Sequence, residues 1–147
     1  MSILKQLMAA READDFEGMC AMIPYARFLG MQLTRVDDEL RVHLPFSQHI
    51  VGNPAIPALH GGSIGSVLET AAIFEVLWTQ NVVSVPRTIN LTIDYQRPGR
   101  TIDTWAKARV AKRGRRVMSV VAEAWQDDAD RPISTALVHL LVRTEPD

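Results

Sequence analysis

The chain of 147 residues has very little cysteine and no excess of charge of either sign. A single cysteine, Cys20, excludes an intrachain disulfide framework and a cysteine-based zinc cluster. Lys and Arg total 16 and Asp and Glu total 17, so the formal net charge is −1. Because there is no net positive charge to attract polyanions, we expect no nucleic-acid partner.

Long uninterrupted apolar runs are also missing. Residues 42–68 contain no Asp, Glu, Lys or Arg, but prolines and glycines interrupt this stretch repeatedly. It is therefore interpreted as a loop followed by the start of a helix, not as a membrane span. Charges recur from Lys5 onward, which is not typical of a signal peptide. We expect a cytoplasmic protein without a membrane partner.

Several motifs of cofactor and metal chemistry are absent. The 4 histidines show no HxxxH or HExxH spacing, which argues against a metal site. The glycines at 62 and 65 match neither a P-loop nor a dinucleotide-binding fingerprint, and no nucleophile elbow marks a serine triad. We expect neither a metal nor another cofactor.

The pattern of apolar residues predicts an α+β fold. Helical spacing covers residues 2 to about 23, so residues 1–24 are predicted to form an N-terminal helical extension. Alternation predicts two strands around a turn at Asp37–Asp38. Residues 63 to about 80 are apolar on almost every side, which is typical of a helix buried on most of its surface.

The C-terminal half alternates polar and apolar residues in four strand-like segments joined by short turns. Short turns favour antiparallel pairing. The prediction is one domain over residues 1–147, with an antiparallel sheet wrapped around one central helix. Long strand edges in a small domain favour pairing across a dimer.

Glu69 is the first candidate for chemistry, because it is one of two carboxylates in the most apolar helix. Burial of a carboxylate is costly and is often tolerated at functional sites, where it can serve as a general base. The alternative is a glutamate at the helix surface that is paired with an arginine. Glu75, farther along the same helix, is interpreted as a structural or interface glutamate.

The second and third candidates are His60-Gly61-Gly62 and the basic turn Lys112-Arg113-Gly114-Arg115-Arg116. Free amides at a helix N-terminus can hold an anion or a developing oxyanion. The alternative for the first segment is a tight loop with a capping histidine. The basic turn can bind phosphate, or it can be a solvated turn in which the glycine supplies backbone freedom.

Together these segments resemble the PaaI-like branch of the hotdog-fold acyl-CoA thioesterases, in the 4-hydroxybenzoyl-CoA thioesterase superfamily. The resemblance covers about residues 25–143. The matching segments are Gly52-Asn53-Pro54, Leu59-His60-Gly61-Gly62, Leu68-Glu69, Leu91-Thr92-Ile93-Asp94-Tyr95, Arg97-Pro98 and Gly114-Arg115-Arg116.

The resemblance implies a hotdog fold and a role for each matching residue. Glu69 would be the catalytic acid, acting as a general base or as a nucleophile. The Gly61 amide would polarise the thioester oxygen with support from His60. Asn53 would orient water, and Thr88 would lie near the acid. Gly62 and the turn of Arg113, Gly114, Arg115 and Arg116 would contact the substrate or the CoA phosphates.

The function expected from this resemblance is hydrolysis of an acyl-CoA thioester to CoA and a carboxylic acid. The family also implies a homodimer or homotetramer with the active site at the subunit interface. The alternative is a non-catalytic acyl-CoA-binding module of the same fold. Phe46, Phe74 and Trp78 could line an acyl pocket or belong to the core.

Overall fold

The computed structural model describes residues 1–145 and contains four α-helices, a short 3₁₀-helix at Gln48–Ile50 and eight strands within that range. The helices are α1 (Ile3–Glu12), α2 (Phe16–Ala21), α3 (Pro24–Leu29) and α4 (Gly61–Thr79). The strands are β1 (Gln32–Val36), β2 (Glu39–Leu44), β3 (Val51–Asn53), β4 (Ala58–Leu59), β5 (Arg87–Tyr95), β6 (Thr104–Arg113), β7 (Val117–Trp125) and β8 (Ser134–Leu141).

Six of the strands form one antiparallel sheet in the order β1-β2-β6-β7-β8-β5. The two remaining strands, β3 and β4, form a small hairpin in the uncharged stretch before α4. The turn between β1 and β2 lies at Asp37–Asp38 as predicted, and both residues have positive φ angles. This strand order leaves β5 at one edge of the sheet.

Helix α4 packs against the inner face of the sheet and supplies much of the core. Phe74, Leu68 and Leu77 are fully buried, as are facing strand residues such as Val120 and Val138. Each such side chain contributes roughly 1.5–3 kcal/mol by leaving water. The structure therefore confirms the predicted α+β architecture, in which an antiparallel sheet surrounds one apolar central helix.

The helical segment predicted at the N-terminus is divided: residues 2–23 form two short helices, α1 and α2, and α3 follows directly. Asp14 has φ 52, which ends the first helical run. The Asp15 side chain then accepts a hydrogen bond from Gly18 N at 2.8 Å and caps α2. Pro24 occupies the first position of α3, where its missing amide hydrogen costs no helical hydrogen bond.

Cys20 belongs to the core formed by these N-terminal helices. Its side chain is buried, and Sγ lies 3.2 Å from the carbonyl oxygen of Met31. Burial raises the pKa of the Cys20 thiol to about 11, so the thiolate is disfavoured. Among residues 1–145, no helix is long and apolar enough to cross a membrane.

Glu75 lies on the second half of α4 and is half-buried. Burial raises the pKa of its carboxyl from 4.5 to about 7, and the negative charge of Glu39 adds to the shift. The folded state therefore prefers the protonated form. Since the unfolded chain ionises near the ordinary value, stability is fully present below about pH 4.5 and falls as the pH rises toward 7.

We predict that Glu75→Gln increases stability at pH 8 by roughly 2 kcal/mol and has little effect at pH 4.5. Glutamine keeps the shape of the side chain and removes the ionisation. Urea unfolding at the two pH values measures the difference. Glu12→Gln, at an exposed position at the end of α1, is the matched control. Equal effects of Glu75→Gln at both pH values would contradict the assignment of a raised pKa.

Candidate active site

The N-terminus of α4 carries an amide whose hydrogen-bonding capacity is free. His60 is the N-cap residue, and its Nδ1 accepts a hydrogen bond from Gly62 N at 2.8 Å. The Ser63 amide donates to the His60 carbonyl. Within residues 1–145, no acceptor is found for the Gly61 amide. The first amide of the helix can therefore donate to a ligand, whereas the Gly62 amide is occupied.

This geometry also defines the role of His60 within the chain. Because Nδ1 accepts the Gly62 hydrogen bond, the neutral ring carries its proton on Nε2. The ring is exposed to solvent. His60 therefore caps the helix through the Gly62 amide, and within residues 1–145 the Gly61 amide remains able to donate to a ligand.

Glycines allow the start of α4 to approach β5 closely. The Tyr95 hydroxyl donates to the Gly61 carbonyl oxygen at 2.8 Å. A Cβ atom on Gly65 would lie 2.9 Å from Ile93 Cδ1, and one on Gly61 would lie 3.3 Å from Tyr95 Oη. The α4 face that bears Gly61 and Gly65 therefore lies beside the edge strand of the sheet.

Glu69 lies one turn beyond Gly65 along this helix and is half-buried. Within residues 1–145 its carboxylate has neither an ion-pair partner nor a side-chain hydrogen bond. The structured part of the chain therefore does not provide the arginine that a purely structural glutamate would pair with. A half-buried carboxylate without such a partner is available to water or substrate.

Thr88 and Asn53 are in different environments. A β-bulge between Thr88 and Asn90 places Thr88 opposite Leu140, which is buried on the inner face of the sheet. The Thr88 hydroxyl is buried and finds no hydrogen-bond partner in the described part of the chain. Asn53 is exposed, and its Oδ1 accepts a hydrogen bond from Ala55 N in the turn between β3 and β4.

The basic turn forms part of a larger basic surface at the other end of β5. Four arginines line a cavity of about 750 Å³, here called the arginine cavity: Arg87, Arg115, Arg116 and Arg143. Arg113 is exposed but does not line this cavity. At Gly114, a Cβ atom would lie 2.4 Å from Val117 O, so the turn itself requires glycine.

Sequence reasoning missed two of these arginines. Arg87 is the first residue of β5, and Arg143 lies two residues after the end of β8. Strand pairing brings them to the turn: Leu141 is opposite both Arg87 and Val117. Because the sequence separations are long, no local pattern could have identified the group.

Of the three aromatic residues considered for an acyl pocket, one lies within the core and the other two are partly buried and pack against it. Phe74 is fully buried, and the Trp78 ring packs against Phe16 with centroids 5.1 Å apart. Phe46 also packs against the core cluster and is partly buried. Within residues 1–145, no group of three or more His, Cys, Asp or Glu side chains is arranged to hold a metal ion.

Comparison of the sequence with known proteins identifies a family and several similar enzymes. Residues 57–133 match the model of the thioesterase superfamily. The medium/long-chain acyl-CoA thioesterase YigI of Escherichia coli is 34% identical over 110 residues, covering 65% of this chain and 70% of the relative. Residues 57–133, which the family model matches, contain α4, β5 and the basic turn.

Solved structures agree with this relationship. A Chromobacterium violaceum protein is 32% identical, has a TM-score of 0.80, and is matched over 97% of this chain and 99% of its own. A Ralstonia eutropha protein described as a putative thioesterase related to phenylacetic acid degradation is 26% identical, with a TM-score of 0.74 over 88% and 98% of the two chains. This chain belongs to the thioesterase superfamily and is a thioesterase of the hotdog fold.

Proposed function

We propose that this thioesterase hydrolyses acyl-CoA to free CoA and a carboxylic acid. The observation that carries the proposal is the Gly61 amide at the start of α4, which has no acceptor within residues 1–145, together with the half-buried Glu69 carboxylate about two turns along the helix, which has no ion-pair partner there. The YigI relatives are named for the same substrate class. The expected substrates are therefore acyl-CoA thioesters of medium or long chain.

The Gly61 amide would stabilise the charge that develops on the thioester oxygen. It is the first amide of α4, so it lies at the positive end of the helix dipole. A donor held in place before the reaction pays no reorganisation cost in the transition state. His60 acts as a positioning residue, because its hydrogen bond to Gly62 fixes the start of the helix.

Glu69 would activate the water that attacks the thioester carbon, or would attack this carbon itself. As a general base it takes a proton from water while the water oxygen attacks the thioester carbon; as a nucleophile it attacks that carbon itself. In either case the C–S bond breaks and CoA leaves as a thiolate that is then protonated. The buried Thr88 hydroxyl would donate to the carboxylate or water, and the exposed Asn53 amide would orient the water.

One chain cannot place Gly61 and Glu69 on the same carbonyl group. Eight residues of helix separate them, which corresponds to about 12 Å along the axis. Both groups must lie within roughly 3 Å of the reacting atoms. Gly65 lies halfway between them, so a two-fold axis near Gly65 would bring Gly61 next to the partner's Glu69. We therefore infer an active site shared by two copies.

The edge strand β5 supports this arrangement. It has 9 residues, and only one of its edges is paired within the described chain. Ile89 and Tyr95 are 57% and 52% exposed. A long edge strand of this kind is usually covered by another chain. Antiparallel pairing of β5 with its own copy would extend the sheet and set two α4 helices side by side. Assembly of two such dimers into a tetramer would keep each site intact.

We predict that Glu69→Gln lowers kcat for acyl-CoA by about 10³-fold, because the amide can neither accept the proton nor attack the carbon. Binding of acyl-CoA should persist. Thiol release followed with a colorimetric reagent, across short, medium, long and aryl acyl-CoAs, measures the effect and ranks the substrates. Glu75→Gln is the matched control on the same helix and should keep its activity. Wild-type turnover by Glu69→Gln would exclude this role.

Removal of the Gly61 amide hydrogen should impair the other half of the shared site. Gly61→Pro removes the amide hydrogen at the first helical position, where proline fits, and the extended conformation of His60 is compatible with a following proline. Loss of one oxyanion donor should reduce kcat by about 10²-fold. Thermal unfolding should show that the variant remains folded.

Mixing Glu69→Gln with Gly61→Pro provides the decisive measurement. In a mixed dimer, one site combines the intact Gly61 of the first chain with the intact Glu69 of the second. Equal amounts that exchange freely should recover about a quarter of wild-type activity. Activity that stays at the level of the separate variants, with exchange verified by differently tagged chains, would contradict a site built from two copies.

A further inference from the structure

Helix α3 presents two large aromatic side chains to solvent. Ala26 and Leu29 form the buried face of this helix, whereas Tyr25 and Phe28, one turn apart on the neighbouring face, are 55% and 66% exposed. The two rings stack with their centroids 6.0 Å apart. Within residues 1–145, Met1 is the only large apolar residue more exposed than Phe28. Clustered apolar surface of this kind is typical of a site that a ligand or another molecule covers.

Hydrogen bonds attach this aromatic pair to the segment that leads into α4. The His49 ring lies 5.5 Å from the Phe28 ring, and His49 Nε2 donates to the Phe28 carbonyl oxygen at 3.2 Å. Because Nε2 donates, the neutral ring can accept at Nδ1, where the Ser47 hydroxyl lies 3.0 Å away. The next residue, Ile50, accepts a hydrogen bond at its carbonyl oxygen from His60 N at 2.8 Å. The aromatic pair is therefore fixed relative to the start of α4.

These connections limit the distance between the aromatic pair and the Gly61 amide. Ile50 and His60 pair in continuation of the antiparallel hairpin β3–β4, so the residues beyond them, His49 and Gly61, leave the hairpin at the same end. Steps of about 4 to 5.5 Å between Cα atoms place His49 and Gly61 at most about 13 Å apart. One long acyl chain spans about 15 Å, which is half of the hydrocarbon core of a bilayer. A long chain whose carbonyl oxygen is held by Gly61 therefore covers a distance of this order, whereas an acetyl group ends beside Gly61.

We propose that Tyr25 and Phe28 bind the distal part of the acyl chain and make the enzyme selective for long acyl groups over short ones. This inference rests on the proposed function and adds to it the residues that determine chain length. Neither residue lies within 57–133, the segment that matches the thioesterase superfamily, so this selectivity is a property of the N-terminal part of the chain. Phe74, by contrast, is fully buried in the core and is closed to a ligand.

The physical basis of this selectivity is the removal of apolar surface from water. Each methylene group that leaves water on binding strengthens the interaction by up to about fourfold. Aromatic side chains offer a large contact area and have only two side-chain torsions to fix. Binding energy gained far from the reacting carbonyl group can be used in the transition state, so it raises kcat/KM for the longer substrate. A short acyl group does not reach the rings and gains none of this energy.

The first test measures binding without turnover. Isothermal titration calorimetry uses thioether analogues in which a methylene group separates the sulfur from the carbonyl group, with chains of butyryl or dodecanoyl length, below the concentration at which they form micelles. We expect Phe28→Ala to weaken binding of the long analogue about 10-fold, and the double variant with Tyr25→Ala about 30-fold, because apolar contact area is lost. Binding of the short analogue should not change. Ile3→Ala, at an exposed apolar position on α1, is the matched control.

Hydrolysis kinetics and the size of the assembly complete the test. For Phe28→Ala, kcat/KM should fall about 10-fold with dodecanoyl-CoA and stay unchanged with butyryl-CoA, and Phe28→Leu should recover most of the loss. Equal losses for both substrates, or no loss for either, would overturn the proposal. Equal losses together with a smaller assembly in light scattering would also overturn it and identify the aromatic pair as a contact between copies. Binding of the long analogue that depends on Phe28, without hydrolysis of any acyl-CoA, would refute the hydrolase but support this acyl site.

Discussion

Burial of α4 under the six-stranded sheet is the constraint on which the rest of the structure depends. Because the helix is apolar on nearly all sides, it is stable only where the sheet covers most of its surface. Its N-terminus then meets β5 through Gly61 and Gly65, where small residues permit close approach. The same packing that stabilises the core thus exposes the Gly61 amide and holds Glu69 near the sheet edge.

The two carboxylates of α4 illustrate how position on one helix separates functions. Glu69 lies one turn beyond Gly65, is half-buried and has no ion-pair partner within residues 1–145. Glu75 lies farther along, half-buried and near the charge of Glu39, so that its carboxyl favours the protonated form. Glu75 therefore carries a cost in stability at neutral pH, whereas Glu69 is the carboxylate that we propose for the reaction.

Helix geometry is the reason why the site that we propose needs a second copy of the chain. An oxyanion donor and a carboxylate on one face, about two turns apart, cannot reach the same carbonyl group. Edge strand β5, with its exposed apolar residues, offers the surface on which a second copy would complete the site.

The sequence by itself determined the α+β class, the buried helix and the Asp37–Asp38 turn, because these depend on local periodicity and on short motifs. Tertiary structure decided what depends on register between distant strands. It broke the N-terminal helix at Asp14, turned Thr88 inward through a bulge, and brought Arg87 and Arg143 to the basic turn. Pairing of residues far apart in the chain leaves no local pattern, so only the folded structure could show these features.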